Sequence, residues 1–98
     1  MEAGLTDAAR ELEALARGRN TLSTEAKVAI FQNAIKAVGI NAKVVKVPGG
    51  IQVRSEDGEA IKLAERLMNE ASRGMATMGA RFNGSQFLEE FRSAAEAL

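Results

Sequence analysis

Residues 41–54, NAKVVKVPGGIQVR, decide the fold. Two short runs in which apolar and polar residues largely alternate, 42–47 and 51–54, flank Pro48-Gly49-Gly50, the strongest turn signal in the chain. A period of two places successive side chains on opposite faces of a strand, and proline followed by glycine favours a tight turn. The stretch therefore predicts an antiparallel β-hairpin.

The register of the hairpin is predicted from the residues that would share a buried face. If all three turn residues lie outside the ladder, one face is wholly apolar, whereas a two-residue loop mixes valines with polar residues. We therefore expect a type I turn with Pro48 at its second position and Gly50 in a left-handed bulge. The expected pairs are Val47 with Ile51, Lys46 with Gln52, Val45 with Val53 and Val44 with Arg54.

The segments around the hairpin have the apolar spacing of amphipathic helices. We expect Ser23 to cap the second helix, and Gly39 to end it in a left-handed conformation. The predicted helices run from a cap at Thr6 to about Arg17, from about Thr24 to Val38, from about Gly58 to Arg73, and from a cap at Asn83 towards the C-terminus.

The start of the last helix has a consistent local pattern. Gln86 follows Asn83 by three residues, and Phe82 is placed to pack against Phe87 across the first turn. The predicted inward face consists of Phe87, Phe91, Ala94 and Leu98, with Leu88 and Ala95 alongside.

Residues 74–82 allow two interpretations. Apolar residues alternate with Thr77, Gly79 and Arg81, which suits a third strand, but Gly74 and Gly79 would equally bound a loop. With this segment left open, the chain is predicted to be a single α+β domain over residues 1–98. It has four helices around a small antiparallel hairpin, in the order α-α-β-β-α-(β)-α.

The composition excludes several kinds of site. The chain has no cysteine, histidine, tryptophan or tyrosine. Disulfides, Cys/His zinc sites, haem or iron–sulfur ligation by these residues and thiol nucleophiles are therefore excluded. No nucleophile stands beside a base in the sequence pattern, so we expect no enzymatic activity, no cofactor and no metal.

The first 20 residues carry Glu2, Asp7, Glu11 and Glu13 among the apolar positions. These charges interrupt any stretch that would resemble a signal peptide or a membrane span. We expect a cytoplasmic protein that does not associate with membranes.

The thin core favours a protein-binding role. Apolar residues make up 46% of the chain, but 18 of them are alanines, so large side chains are few. Either the helices pack closely within one chain, or a second chain completes the core and covers the unpaired edges of the short sheet. We therefore expect a non-enzymatic adaptor, regulator or inhibitor that binds another protein and self-associates, most simply as a homodimer. The expected contact residues are Leu12, Leu15, Met75, Met78 and, on the polar face of the sheet, Val44.

A nucleic-acid-binding regulator is the alternative. The hairpin contains three basic residues and no acidic one, and basic side chains on a β-ribbon bind phosphates. The candidate residues are Lys46, Gln52 and Arg54, with Arg17 and Arg19 from the first connector. The formal net charge of zero argues against this alternative, because dedicated nucleic-acid binders are usually basic.

Overall fold

A computed structural model describes residues 2–18 and 21–97 of the chain. Within these residues the order is helix, helix, strand, strand, helix, helix, which confirms the α+β class. The elements are α1 (Glu2–Gly18), α2 (Thr24–Ala37), β1 (Lys43–Val47), β2 (Gly50–Arg54), α3 (Gly58–Met78), a 3-10 turn (Gly79–Arg81) and α4 (Gly84–Glu96).

The hairpin is present, but its predicted register is wrong. Only Pro48 and Gly49 lie in the loop, and the pairs are Lys43 with Arg54, Val44 with Val53, Val45 with Gln52, Lys46 with Ile51 and Val47 with Gly50. Gly49 has a φ of 88°, the sign that the third position of a type II turn requires after a proline at the second. The predicted type I turn with a bulge at Gly50 is therefore also wrong.

The observed register buries Val44 and Val53 against the helices, with Ile51 packed beside them. The fourth residue on this inner face, Lys46, has an exposed ammonium group that lies 2.8 Å from the Glu25 carboxylate. A short hairpin thus needs only a few apolar side chains on its covered face. The requirement for a wholly apolar face therefore did not select the register.

Helix α1 is longer than predicted and packs on its own chain. It begins before Thr6, so the predicted cap is an interior residue of the helix. The helix packs closely on α2 and α4, so its apolar face is covered within this chain and needs no second chain. The buried residues of α1 are Leu5, Ala8, Ala9, Leu12, Leu15 and Ala16.

Both ends of α2 are confirmed. The Ser23 hydroxyl accepts a hydrogen bond from the Ala26 N–H at 3.1 Å, and Gly39 has a φ of 86°. The N–H of Ile40 then donates to the carbonyl of Ile35 at 2.9 Å, which is the closing bond of a Schellman motif.

Residues 74–78 form neither a strand nor a loop, because α3 continues through them. The helix extends the buried stripe of Ala60, Ala64, Leu67 and Ala71 by one more position, Met75. Gly74 lies inside this helix, and the Phe82 ring packs against it in the space that a larger side chain would need. A Cβ added at Gly74 would lie 2.8 Å from that ring. The helix ends at Gly79, which has a φ of 54°.

The start of α4 is confirmed, whereas part of its inward face is not. Asn83 Oδ1 accepts a hydrogen bond from the Gln86 N–H at 3.0 Å, and the rings of Phe82 and Phe87 are 5.7 Å apart. Leu88 and Phe91 are the large buried side chains, while Phe87 and Ala95 are half-buried and Ala94 is exposed. Leu98 lies outside the described residues.

Candidate functional site

Four of the five predicted protein-contact residues lie in the core. Leu12, Leu15, Val44 and Met75 are at most 4% exposed, so the chain's own side chains cover them. The placement of Val44 on the polar face of the sheet was wrong, because the two-residue loop turns it inward. Met78, at the end of α3, is 47% exposed and is accessible to a partner.

The predicted nucleic-acid residues are divided between two faces of the hairpin. Lys46 lies on the inner face, paired with Glu25, whereas Gln52 and Arg54 lie on the outer face, where the Arg54 Nε donates to Gln52 Oε1 at 3.0 Å. Arg17 is exposed in the last turn of α1, and Arg19 lies outside the described residues. The structure therefore does not gather these side chains on one surface.

The outer edge of β1 is partly covered by a side chain. In an antiparallel hairpin closed by a two-residue loop, alternate residues direct their backbone N–H and C=O groups away from the partner strand. In β1 these residues are Val44 and Lys46. The Val44 N–H donates to Gln32 Oε1 of α2 at 2.8 Å, whereas no described group outside the hairpin bonds to the Lys46 backbone. Gln32 Nε2 donates in turn to the Ala42 carbonyl at 3.2 Å, so one amide satisfies two polar groups of this edge.

The outer edge of β2 is open. By the same alternation, Ile51 and Val53 direct their N–H and C=O groups away from β1. Within the described part of the chain, no group outside the hairpin forms a hydrogen bond to either backbone. Each edge group of this kind can pair with a further strand.

A groove of about 310 Å³ lies between this edge and α3. Ile51 and Met68 are half-buried in it, and Glu65 and Asn69 are exposed. The residues that line the groove are Ile51, Gln52, Val53, Glu65, Met68 and Asn69. The space beside the open strand is therefore free, and both apolar and polar side chains line it.

The outer face of the hairpin is partly apolar. Val45 and Val47 are half-buried there, and neither packs against the core. Lys43 and Arg54 stand directly opposite each other on the same face. A second groove, of about 470 Å³, is lined by these two cations together with Glu56 and Asp57, so its charge is mixed.

A cleft between α1 and α2 is a further concave surface, with a volume of about 460 Å³. It contains Asp7, Glu11 and Lys36, and Asn33 Nδ2 donates to the Glu11 carboxylate at 3.0 Å. Over residues 2–18 and 21–97, no three acidic side chains converge in a way that would hold a metal ion.

The ion pair beside the hairpin lowers the pKa of Glu25. The hydrogen bond from the Lys46 ammonium, a bond from backbone N–H and the positive charge of Lys46 together hold the pKa of Glu25 below its ordinary value. Both side chains are exposed, so water and salt screen this pair.

Sequence reasoning missed Gln32, which makes the two edges of the sheet different. A signal was present: Gln32 lies four residues after Val28 and three before Ile35, so a polar side chain interrupts the apolar stripe of α2. A polar residue at such a position needs a partner when it is buried.

Comparisons with models of known protein families, with curated proteins and with solved structures find no match for this chain. Among the described residues, no helix has both the length and the apolar composition needed to cross a bilayer.

Proposed function

We propose that this chain is a non-enzymatic protein-binding module that takes up an extended segment of a partner as an added strand on β2. The observation that supports it is the difference between the two edges of the sheet. Gln32 covers β1 at Val44, whereas the outward groups of Ile51 and Val53 face an open groove. Strand addition to an exposed edge is an established mode of peptide recognition.

The groove indicates which segment would fit. On an added strand, alternate side chains would lie on the inner side beside the half-buried Ile51 and Met68, and we expect these to be apolar. The side chains between them would lie beside Gln52 and Arg54 on the outer face. An acidic residue there would pair with Arg54, so the proposed ligand alternates apolar with polar or acidic residues.

The test is a selection of peptides from a random library displayed on phage, with the immobilised protein as bait. Recovered peptides are synthesised and their affinity for the wild-type chain is measured by calorimetry. We expect the alternating pattern described above, and we expect binding to be lost in Ile51→Pro, because proline removes an outward N–H and places its ring on the edge.

Ile51→Ala is the matched control. It loses the half-buried side chain as the proline variant does, but it keeps the N–H that the added strand needs. Circular dichroism verifies that both variants fold. Peptides that bind Ile51→Pro and Ile51→Ala with equal affinity would show that the β2 edge is not the binding site.

A nucleic-acid-binding role is the second candidate, and the pairing of Lys43 with Arg54 on the outer face favours it. The nearby Glu56 and Asp57 weaken the positive potential of this surface. A gel shift at low salt tests it with the double variant Lys43→Ser and Arg54→Ser. The control is Lys46→Ser, which changes a cation on the other face. If wild type causes no shift at low salt, this candidate is wrong.

We further propose that the module acts in the cytoplasm and catalyses no reaction. The absence of histidine and cysteine from the sequence supports the second point. Hydrolysis of esters or phosphates by the pure protein across a broad substrate panel would contradict the second.

A further inference from the structure

We infer that the strand added to β2 is β2 of a second copy of this chain, antiparallel and related by a two-fold axis at Gln52. The sheet then continues across two chains in the order β1-β2-β2-β1. This inference rests on the proposed function, since it assigns an occupant to the same edge.

The spacing of the outward residues selects the register. Ile51 and Val53 are two positions apart, so an axis at Gln52 brings Ile51 of each copy opposite Val53 of the other. Every outward N–H and C=O group of both strands then meets a partner. An axis at Ile51 would instead place Val53 opposite Gly49 in the turn, and an axis at Val53 would place Ile51 opposite Ser55, beyond the strand.

The side chains are compatible with this register. Directly opposed residues of an antiparallel pair lie on the same face, so Ile51 would contact Val53 of the second copy on the inner side. On the outer side Arg54 would stand opposite Gly50, which has no side chain to obstruct it. Gln52 would stand opposite Gln52, and two amides can hydrogen-bond each other. No like charges are opposed across the axis.

The flanking helix is also compatible with a second copy. Because α3 lies beside the β2 edge on the inner side, the two-fold axis brings the α3 helices of both copies towards each other. The exposed surface of α3 carries both signs of charge, on Lys62, Glu65, Arg66, Glu70 and Arg73, with the polar Asn69 among them. Glu65 is the charged α3 residue that lines the groove beside β2, and Lys62 and Arg66 lie next to it on the helix, so the surface brought towards the axis carries both signs of charge.

The contact area is expected to be small, because it consists of two short strands and one helix face, so the dimer should be weak. Sedimentation equilibrium from about 10 μM to about 1 mM covers the range in which such a dimer forms. We expect a reversible monomer–dimer equilibrium for wild type and for Ile51→Ala, and a monomer at all concentrations for Ile51→Pro.

A charge exchange at the axis tests the register itself. Gln52 is exposed, so Gln52→Lys and Gln52→Glu leave the core of each monomer intact. Each variant alone would oppose like charges across the axis, and its dimerisation should weaken several-fold, whereas an equimolar mixture of the two should recover association. If both variants dimerise as wild type does, the proposed axis is wrong.

Amide hydrogen exchange provides a measurement without any substitution. The N–H groups of Ile51 and Val53 should exchange more slowly as wild-type concentration rises, while Gln52, already bonded to β1, should change little. Exchange at Ile51 and Val53 that does not depend on concentration would overturn the inference. If peptides from the selection still bind the edge of a chain that stays monomeric, the inference fails and the proposed function stands. If neither a peptide nor a second copy engages the edge, both fail.

Discussion

The Glu13 carboxylate on α1 accepts a hydrogen bond at 2.8 Å from the backbone N–H of Gly84, the first residue of α4. The first N–H groups of a helix have no partner within it, and negative charge is favourable at that end. One side chain of α1 thus satisfies a backbone donor of α4 from 71 positions away in the sequence. This contact joins the first and last helices of the chain.

Gly84→Ala should destabilise the fold because α4 meets α1 at this residue. Gly84 is buried, and an added Cβ would overlap the backbone of Ala9, which cannot move aside as the end of a flexible side chain would. We expect the free energy of unfolding to fall by about 1–3 kcal/mol or more, measured by urea denaturation. Gly4→Ala is the control, because a Cβ there meets no atom and helix propensity favours alanine. Equal stability of both variants would contradict this close approach of the helices.

Local patterns predicted the helix ends well, and they did not predict this contact. Ser23 and Asn83 were identified as caps because the groups they satisfy lie within three residues. The bond between Glu13 and Gly84 depends on how two helices pack, which no short stretch of sequence encodes. The predicted end of α3 near Gly74 was wrong for the same reason. The Phe82 ring packs against this glycine from a later part of the chain, and no short stretch of sequence shows that contact.

Gly74 and Phe82 should show strongly non-additive effects. In wild type, Gly74→Ala places a Cβ 2.8 Å from the Phe82 ring, so the ring has to shift, which should cost about 1–2 kcal/mol. In a Phe82→Ala background the same change meets no ring, and the better helix propensity of alanine should make it neutral or stabilising. A double-mutant cycle from denaturant unfolding measures the coupling. Additive effects would mean that the ring does not rest on Gly74.

Gln32 should be more important for stability than an ordinary half-buried glutamine. Gln32→Ala removes both hydrogen bonds to the β1 edge, and we expect a loss of about 1–3 kcal/mol in the free energy of unfolding. Gln32→Glu keeps the acceptor for Val44 but places a carboxylate oxygen against the Ala42 carbonyl. Its loss should be smaller at low pH, where a protonated carboxyl can donate again. Unfolding curves that match wild type for both variants would show that the amide does not hold this edge.

The hairpin shows how far the sequence leads towards the candidate site. The two strands and their unpaired edges followed from alternation and the turn signal at Pro48 and Gly49. The sequence did not predict which β1 side chains point to the core, because this depends on the register of the strands. A shift of one residue moves every β1 side chain to the opposite face of the sheet. Four of the predicted contact residues lie in the core of this chain, because close helix packing around larger side chains such as Leu12 and Leu67 buries them.

The ion pair between Lys46 and Glu25 should make a small contribution that depends on pH. Because the pKa of Glu25 is lower in the folded chain, its contribution is present above the ordinary glutamate range and is lost as the pH falls through the folded pKa. The difference in stability between wild type and Glu25→Gln should therefore shrink on acidification, and it should also shrink with added salt. In a Lys46→Met background most of this pH dependence should be absent. A difference that persists unchanged in that background would show that Lys46 is not the cause.

Proline substitutions at Ile51 and Gln52 distinguish the observed register from the one that a wholly apolar face would require. With the observed two-residue loop the N–H of Gln52 bonds to β1, whereas a three-residue loop with a bulge at Gly50 would turn this N–H outward. The N–H of Ile51 makes no ladder bond to β1 in either register. Gln52→Pro should therefore lower the free energy of unfolding by about 1–3 kcal/mol relative to Gln52→Ala, because it removes a ladder bond. Ile51→Pro should differ little from Ile51→Ala, since the N–H it removes has no partner in the monomer. Denaturant unfolding at low protein concentration measures all four variants, and an effect of Gln52→Pro no larger than that of Ile51→Pro would favour the three-residue loop.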